Sequence, residues 1–308
     1  MQAAEAPDGA VFVAPAGGSP VYVVDGDQPA VVAETVDDVE ALAADDNNVY
    51  IGKYTLTATT VISYDRTTGS EIRQWTLPGI NSANASNNRL LFMAAAGGAL
   101  WVTITVVANL SDGGTAPTGY DVYRIDPGSA ASPAMVASSK ETAIGPDGSV
   151  YYESSDAHLV RRSPSGQLTV GPALANSPNS EGGGVQYVDT VAAGVVWVDE
   201  PAGQGLDAGY FTFNTVTLAP VGGPFGGNTG EAGITDTLAG SLDLDQGNAV
   251  TTCPMEGTVA VECLFRISTT ATLSDPAIVG TGFALLGPYP AVIASNAANT
   301  AVQLERFS

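Results

Sequence analysis

Seven times along the chain a short apolar run, usually carrying an aromatic, is followed by a second run with a tyrosine, an arginine or an acid. The first runs are Val11-Phe12-Val13, Val49-Tyr50-Ile51, Leu100-Trp101-Val102, Val150-Tyr151-Tyr152, Val196-Trp197-Val198, Ala249-Val250-Thr251 and Ala291-Val292-Ile293. Their partners begin at Val21, Val61, Val122, Leu159, Tyr210, Cys263 and Val302. From Val11 to Ala291 is 280 residues in six steps, a period of about 47. A unit of that size cannot bury both faces of its own small sheet, so neighbouring copies must stack. No stretch shows sustained helical periodicity over several turns, and helix-length windows are broken by Gly, Pro or Asn. The 36 glycines and 19 prolines are spread along the chain rather than pooled in a linker, which suits many turns between short strands. The expectation is all-β, one domain over residues 1–308.

Each full unit parses into four strands, A to D, and the period lies close to that of β-propeller blades. In the second unit these are residues 39–44, 49–54, 60–65 and 71–77. In the third they are residues 90–95, 99–106, 120–125 and 134–137. The end units are short. The first shows strands B, C and D at residues 10–14, 21–24 and 30–34 with no strand A, and the last stops after residues 301–307. A closed ring then needs strands from both termini in one blade, which removes exposed sheet edges. The expected fold is a single propeller of seven four-stranded blades, with six as the alternative.

Two segments carry a resemblance. Ala44-Asp45-Asp46-Asn47-Asn48-Val49-Tyr50-Ile51-Gly52, followed by Ile62-Ser63-Tyr64-Asp65-Arg66, resembles a blade of the broad NHL, YWTD and SMP-30-like propeller class. Ile144-Gly145-Pro146-Asp147-Gly148, followed by Leu159-Val160-Arg161-Arg162, has the same form. The resemblance covers most of the chain as a period and rests on turn residues before strand B and after strand C. That class hosts hydrolases, lactonases, receptor modules and scaffolds, so the resemblance implies a fold and no particular activity.

Ten Lys and Arg stand against 32 Asp and Glu, a formal charge of -22. Such a surface repels phosphate backbones and anionic lipid, which disfavours nucleic-acid and membrane-surface partners. Residues 276–304 are uncharged but hold three glycines and three prolines, so they cannot form a continuous apolar membrane helix. The start of the chain lacks a basic segment followed by an apolar one, and reads as an initiator Met before a mature N-terminus. Cys253 and Cys263 are the only cysteines, and a hairpin between them would allow a disulfide, which implies an extracytoplasmic setting. With one histidine in addition, a zinc site lacks ligands.

Connection lengths point to one edge of the sheets. The A-to-B turns are tight, whereas the long connections (residues 78–89, 107–119, 171–184, 199–208 and 222–234) all fall in the B-to-C and D-to-A classes. Those two classes emerge on the same edge of a four-stranded blade, and long loops on a rigid scaffold are the usual place for binding. The residues expected there as ligand-binding are Asp37, Asp38, Asp112, Glu141, Glu181, Asp199, Glu200 and Glu231. Asp199 and Glu231 are the candidates for a hard cation such as calcium at the central mouth. A partner protein, a glycan or a small molecule would fit the same edge of a monomer. Non-catalytic recognition is the leading expectation. A divalent-cation-dependent, lactonase-like hydrolase and a structural surface protein stand as alternatives.

Other motifs resolve into structure. Asp243-Leu244-Asp245-Gln246-Gly247-Asn248 has half of a calcium loop but lacks the third acid and terminal Glu, and reads as a hairpin turn. Asp45-Asp46 and Asp147-Gly148 read the same way. His158 would have to serve any nucleophile relay, and its place at the start of strand C reads as a solvent-facing strand edge. Trp101 and Trp197 occupy equivalent strand-B positions and are expected between sheets. Trp75, on an outer strand, is expected as a surface contact.

Overall fold

The computed structural model describes residues 2–14, 20–25, 28–33, 39–54, 58–78, 91–109, 115–139, 142–174, 187–192, 194–200, 209–225, 243–245, 248–253, 261–266, 277–280, 283–285, 291–295 and 302–306. All regular structure among them is strand. The chain forms two compact units, Met1–Lys140 and Glu141–Ser308.

The first unit holds three four-stranded antiparallel sheets, each a meander in chain order. The first sheet is β1 (Gln2–Glu5), β2 (Val11–Ala14), β3 (Val21–Asp25) and β4 (Gln28–Ala33). The second is β5 (Ala41–Ala44), β6 (Asn48–Tyr54), β7 (Ala58–Asp65) and β8 (Glu71–Pro78). The third is β9 (Leu91–Ala96), β10 (Ala99–Asn109), β11 (Thr115–Ile125) and β12 (Ala134–Ser139). The sheets stack through their first strands, β1 on β5 and β5 on β9.

Both faces of the second sheet are buried, which explains why its inner strands read as unbroken apolar runs. Leu42 pairs with Ile51 and Ala44 with Val49, and this face packs on Phe12, Ala14 and Val21 of the first sheet. The alternate positions, Ala43 and Tyr50 with Val61, Trp75 and Leu77, pack on Leu100, Val102, Ile104, Tyr123 and Ile125 of the third. One residue of register slip would exchange these two faces. Trp75 is only 5% exposed, so it is a core residue between two sheets and not the surface contact expected from its outer strand. The neighbouring sheet covers that strand and turns its edge position into an interior one.

A second correction concerns the first sheet. Its strand A exists: Gln2–Glu5 pairs with Val11–Ala14, from Gln2 opposite Ala14 to Glu5 opposite Val11. The Ala6–Ala10 turn closes this hairpin, with the Ala6 N–H donating to the Ala10 carbonyl at 2.9 Å. Small residues without an aromatic give no local strand signal, and the segment is a strand through its partner. The first sheet therefore draws all four strands from Gln2 to Ala33.

Arg66 ties the first two sheets together. Its Nη2 meets Asp8 Oδ2 at 2.7 Å, its Nη1 donates to the carbonyls of Asp45 and Asp46, and its guanidinium lies 5.5 Å from the centre of the Phe12 ring. The Arg66 guanidinium also holds the Asp8 carboxyl below its usual range.

The second unit continues the pattern. Its four-stranded meanders are β13 (Thr142–Ile144), β14 (Val150–Glu153), β15 (His158–Arg162) and β16 (Leu168–Ala173), then β17 (Tyr187–Ala192), β18 (Val195–Glu200), β19 (Gly209–Asn214) and β20 (Pro220–Phe225), then β21 (Asp243–Asp245), β22 (Asn248–Cys253), β23 (Val261–Arg266) and β24 (Ala277–Gly280). The last sheet has three described strands, β25 (Phe283–Leu285), β26 (Ala291–Ser295) and β27 (Val302–Arg306). Stacking again runs through first strands, β13 on β17 and β17 on β21. Ala143, Tyr151, Leu159 and Leu174 pack on Val188, Val191, Val196, Val198, Phe213 and Leu218. Trp101 and Trp197, 3% and 0% exposed, are interior as expected.

Candidate functional site

The long-connection edge falls largely outside the described residues, and Asp37, Asp38, Asp112, Glu141, Glu181 and Glu231 lie there with it. Asp199 and Glu200 end β18, opposite Tyr210 and Gly209 of β19, at the long-connection end of that strand. Among the described residues no group of three or more His, Cys, Asp or Glu could hold a metal ion. Cys253 and Cys263 lie in paired strands, Cys253 opposite Val261 and Cys263 opposite Thr251, two residues apart along the ladder. Asp245 pairs with Asn248, so the described parts of the half calcium loop are strands of one antiparallel ladder.

One long connection is described, and it differs from a loop. β10 and β11 run on as a ladder to Asn109 opposite Thr115, with a register shift between Val106 and Val107. β9 pairs with β10 only as far as Ile104, and β12 with β11 only from Tyr120. The remainder is a two-stranded arm reaching roughly 15 Å past its sheet, at about 3.3 Å per residue. Residues 107–119 are expected as a long connection, but the ladder runs through Pro117, and the bulge absorbs the extra residue.

The tight-turn edge carries fixed side chains. Asp45 Oδ1 accepts the N–H groups of Asn47 and Asn48 at 2.8 and 2.7 Å, and its Oδ2 accepts the Tyr50 hydroxyl. Burial, reinforced by Asp45, keeps the Tyr50 phenol protonated far above its ordinary pKa. His158 Nδ1 sits 3.4 Å from Asp156 Oδ2, while the Ser154 hydroxyl bonds Asp156 and the His158 backbone. The serine is therefore committed to its own turn and not to the imidazole.

A cavity of about 350 Å³ opens on this edge between the fourth and fifth sheets, lined by Pro146, Asp147, Tyr151, Val191, Gly194, Thr215 and Val216. Three turns build it. Asp147 Oδ1 accepts the Ser149 N–H at 2.9 Å, and Oδ2 accepts the Ser149 hydroxyl at 2.8 Å and Arg161 Nη2 at 3.1 Å. The Tyr151 hydroxyl crosses to the fifth sheet and donates to the Thr215 carbonyl at 2.8 Å. Asn214 Oδ1 caps the third turn by accepting the N–H groups of Val216 and Thr217, both at 2.9 Å. Partial burial works against the Asp147 carboxylate, but the Ser149 N–H and hydroxyl and Arg161 outweigh it and hold its pKa below the ordinary value. Asp147 was legible as a turn residue. The cavity was not, because Val191, Gly194 and Val216 reach it only through stacking of separate sheets.

The four arginines with described contacts all serve the sheets. Arg66 lies over Phe12, Arg73 over Trp75 and Arg124 over Trp101, at 5.5 to 6.0 Å from the ring centres, and Arg161 holds Asp147. Four of the ten cations are thereby tied to the interior and its turns, while the chain keeps its formal charge of -22.

No family model matches the chain, and no curated protein matches it. Solved structures do. A prolyl endopeptidase structure covers 97% of this chain at 8% identity and a TM-score of 0.51, and this chain spans about half (48%) of that one. An uncharacterized protein from Listeria monocytogenes EGD-e covers 88% of this chain and 78% of its own, at 9% identity and a TM-score of 0.49. The WD40 β-propeller domain of Doa1 covers 94% of this chain and 88% of its own, at 11% identity and a TM-score of 0.48. The structural neighbours are β-propellers. The chain is all-β, built of four-stranded antiparallel sheets that resemble propeller blades, and at these identities the likeness is one of fold alone.

Proposed function

We propose that the chain is a seven-bladed β-propeller that recognises a partner through its long-connection edge, without catalysis, in an extracytoplasmic setting. The observation that carries this reading is the β10–β11 arm. A two-stranded ribbon is marginal in water on its own. Beyond Ile104 and Tyr120 the arm has no further strand beside it among the described residues. A ribbon with no strand on either edge among the described residues, and with Val106, Val107 and Ala108 in sequence, is suited to being covered by a partner.

A photo-crosslinking residue placed at Ala108 should give discrete adducts in the native extracellular or periplasmic fraction. The same residue at Thr67, on a tight turn of the neighbouring sheet, should not. Equal adduct patterns at the two positions, or none at Ala108, would remove the arm as a recognition element.

The extracytoplasmic setting rests on the acidic composition and on Cys253 and Cys263 lying in adjoining strands. Because their positions are diagonal on the ladder, a disulfide asks the last pairs of that hairpin to shift. The intact mass of the native protein should fall two hydrogens below that of the reduced form, with no alkylation before reduction. Two alkylated thiols in native protein would contradict this setting.

A further inference from the structure

We propose that the cavity between the fourth and fifth sheets binds a small organic cation, an ammonium group carried on an apolar stem. This site lies on the tight-turn edge and is independent of the arm. Its walls are mostly apolar: Pro146, Val191 and Val216 with the Tyr151 ring. Val216 is 61% exposed, although Leu218 in the same turn is fully buried. The turn therefore holds one apolar side chain outward at the mouth while the other anchors it.

The polar groups of the cavity whose partners are fixed are left as acceptors. The Tyr151 hydroxyl has already donated its proton to Thr215 and its oxygen is engaged by Arg161 and Ser149, so the remaining lone pair of that carbonyl is what it leaves to a ligand, and a carbonyl can only accept. A carboxylate offers about four acceptor positions. Asp147 uses three, on the Ser149 N–H, the Ser149 hydroxyl and Arg161, and its side chain is 53% exposed. One position is left facing solvent, on a carboxylate that is ionised and held in one orientation. Pro146 brings no N–H.

A donor-rich, positively charged group beside an apolar stem complements this set. An anion meets Asp147 and the field of a strongly acidic protein. A bare metal ion finds one carboxylate among the described lining residues, whereas hard cations take six or more oxygens. The volume of about 350 Å³ falls at the lower end of the range for small-molecule pockets. A free amine and a lysine side chain present the same chemistry.

The test is a nuclear magnetic resonance titration of the full chain with three probes of similar size, phenethylammonium, 2-phenylethanol and 3-phenylpropionate, and with the larger peptide acetyl-Ala-Lys-Ala-amide. Saturable shifts centred on Asp147, Gly194 and Val216 are expected for phenethylammonium. The alcohol should bind at least tenfold more weakly, and the carboxylate should not bind. Tighter binding of the peptide than of phenethylammonium assigns the site to a partner's lysine, and the reverse assigns it to a free amine.

Asp147→Asn keeps an oxygen for the Ser149 N–H and should abolish the preference of ammonium over alcohol. Val216→Ser should weaken both ligands alike. Equal binding of ammonium and alcohol by the wild-type chain, shifts elsewhere, or an undiminished preference in Asp147→Asn would overturn the proposal. If Asp147→Asn does not fold, the wild-type comparison and Val216→Ser decide it alone.

Discussion

Trp75→Ala is expected to destabilise the first unit by about 3–5 kcal/mol, the range for emptying a buried aromatic site. A surface contact would change stability by no more than about 0.5 kcal/mol. Trp75 stands opposite Val61 in the β7–β8 ladder and packs with Tyr50, Leu77 and the third sheet's apolar face. Removing it opens a cavity between two sheets that meet over a wide face and cannot close locally. Its Nε1 is buried without a hydrogen-bond partner among the described residues, as is Nη1 of Arg73, whose guanidinium carbon lies 6.0 Å from the ring centre. Trp75→Phe should therefore cost much less than the alanine, since it keeps most of the apolar contact and removes an unsatisfied donor. Urea unfolding followed by circular dichroism separates these outcomes. A cost below about 1 kcal/mol for Trp75→Ala would return the residue to the surface.

The same strand shows what the sequence makes legible. In β8, Arg73, Trp75 and Leu77 alternate with Ile72, Gln74 and Thr76, and the second set is exposed. Alternation predicts the strand but leaves open which parity faces inward. Two large apolar residues against one were the available signal, and the stacking of the third sheet makes the choice. The inner strands are easier: runs such as Val49-Tyr50-Ile51 are apolar on both parities because both faces are covered. The opposite limit is Gln2–Glu5, which carries no strand signal and pairs only because Val11–Ala14 presents an edge. The β10–β11 arm lies between these cases, with a long connection expected and a bulge rescuing the ladder.

The candidate site was legible in part. Asp147 was readable as a turn former, and the fixed hydrogen bonds of that turn are what orient its carboxylate. Its apolar walls come from turns far along the chain, and no local pattern joins Pro146 to Val191 and Val216. Periodicity locates sheets and not the gaps between them. A chain with eight arginines and two lysines could still have spread its positive charge over the surface. The side-chain contacts show instead that four guanidiniums, those of Arg66, Arg73, Arg124 and Arg161, are drawn to rings and turn carboxylates.

Leu218 carries the second large effect, with an unusual order of substitutions. The turn Asn214–Ala219 repeats the turn Asp65–Ser70: in each, the first side chain caps two N–H groups and the first N–H donates to the last carbonyl at 2.9 Å. The fifth position has positive φ in both, 68° at Gly69 and 57° at Leu218. A leucine there costs roughly 1–2 kcal/mol of backbone strain. It is retained with its side chain fully buried against the fourth sheet, where a Cβ added at Gly171 would lie 2.7 Å from Leu218 Cβ and 3.1 Å from the Leu159 carbonyl oxygen. Leu218→Ala keeps the strain and loses the packing, for an expected cost of about 2–5 kcal/mol. Leu218→Gly loses the same packing but relieves the strain, so it should be the more stable of the two by about 1 kcal/mol. Gly171→Ala should cost about 1–3 kcal/mol by overpacking the same contact. In Leu218→Ala that clash is eased only in part, since the Cβ remains. Leu218→Gly combined with Gly171→Ala removes it, and the pair should cost less than the sum of the two single changes. Chemical denaturation of the five proteins gives the order directly. If alanine proves as stable as glycine at position 218, the strain is absent; if the double change is additive, the two residues do not touch. Thr215 and Val216 belong to this same turn, so any variant that frees Leu218 should also weaken phenethylammonium binding on the other side of it.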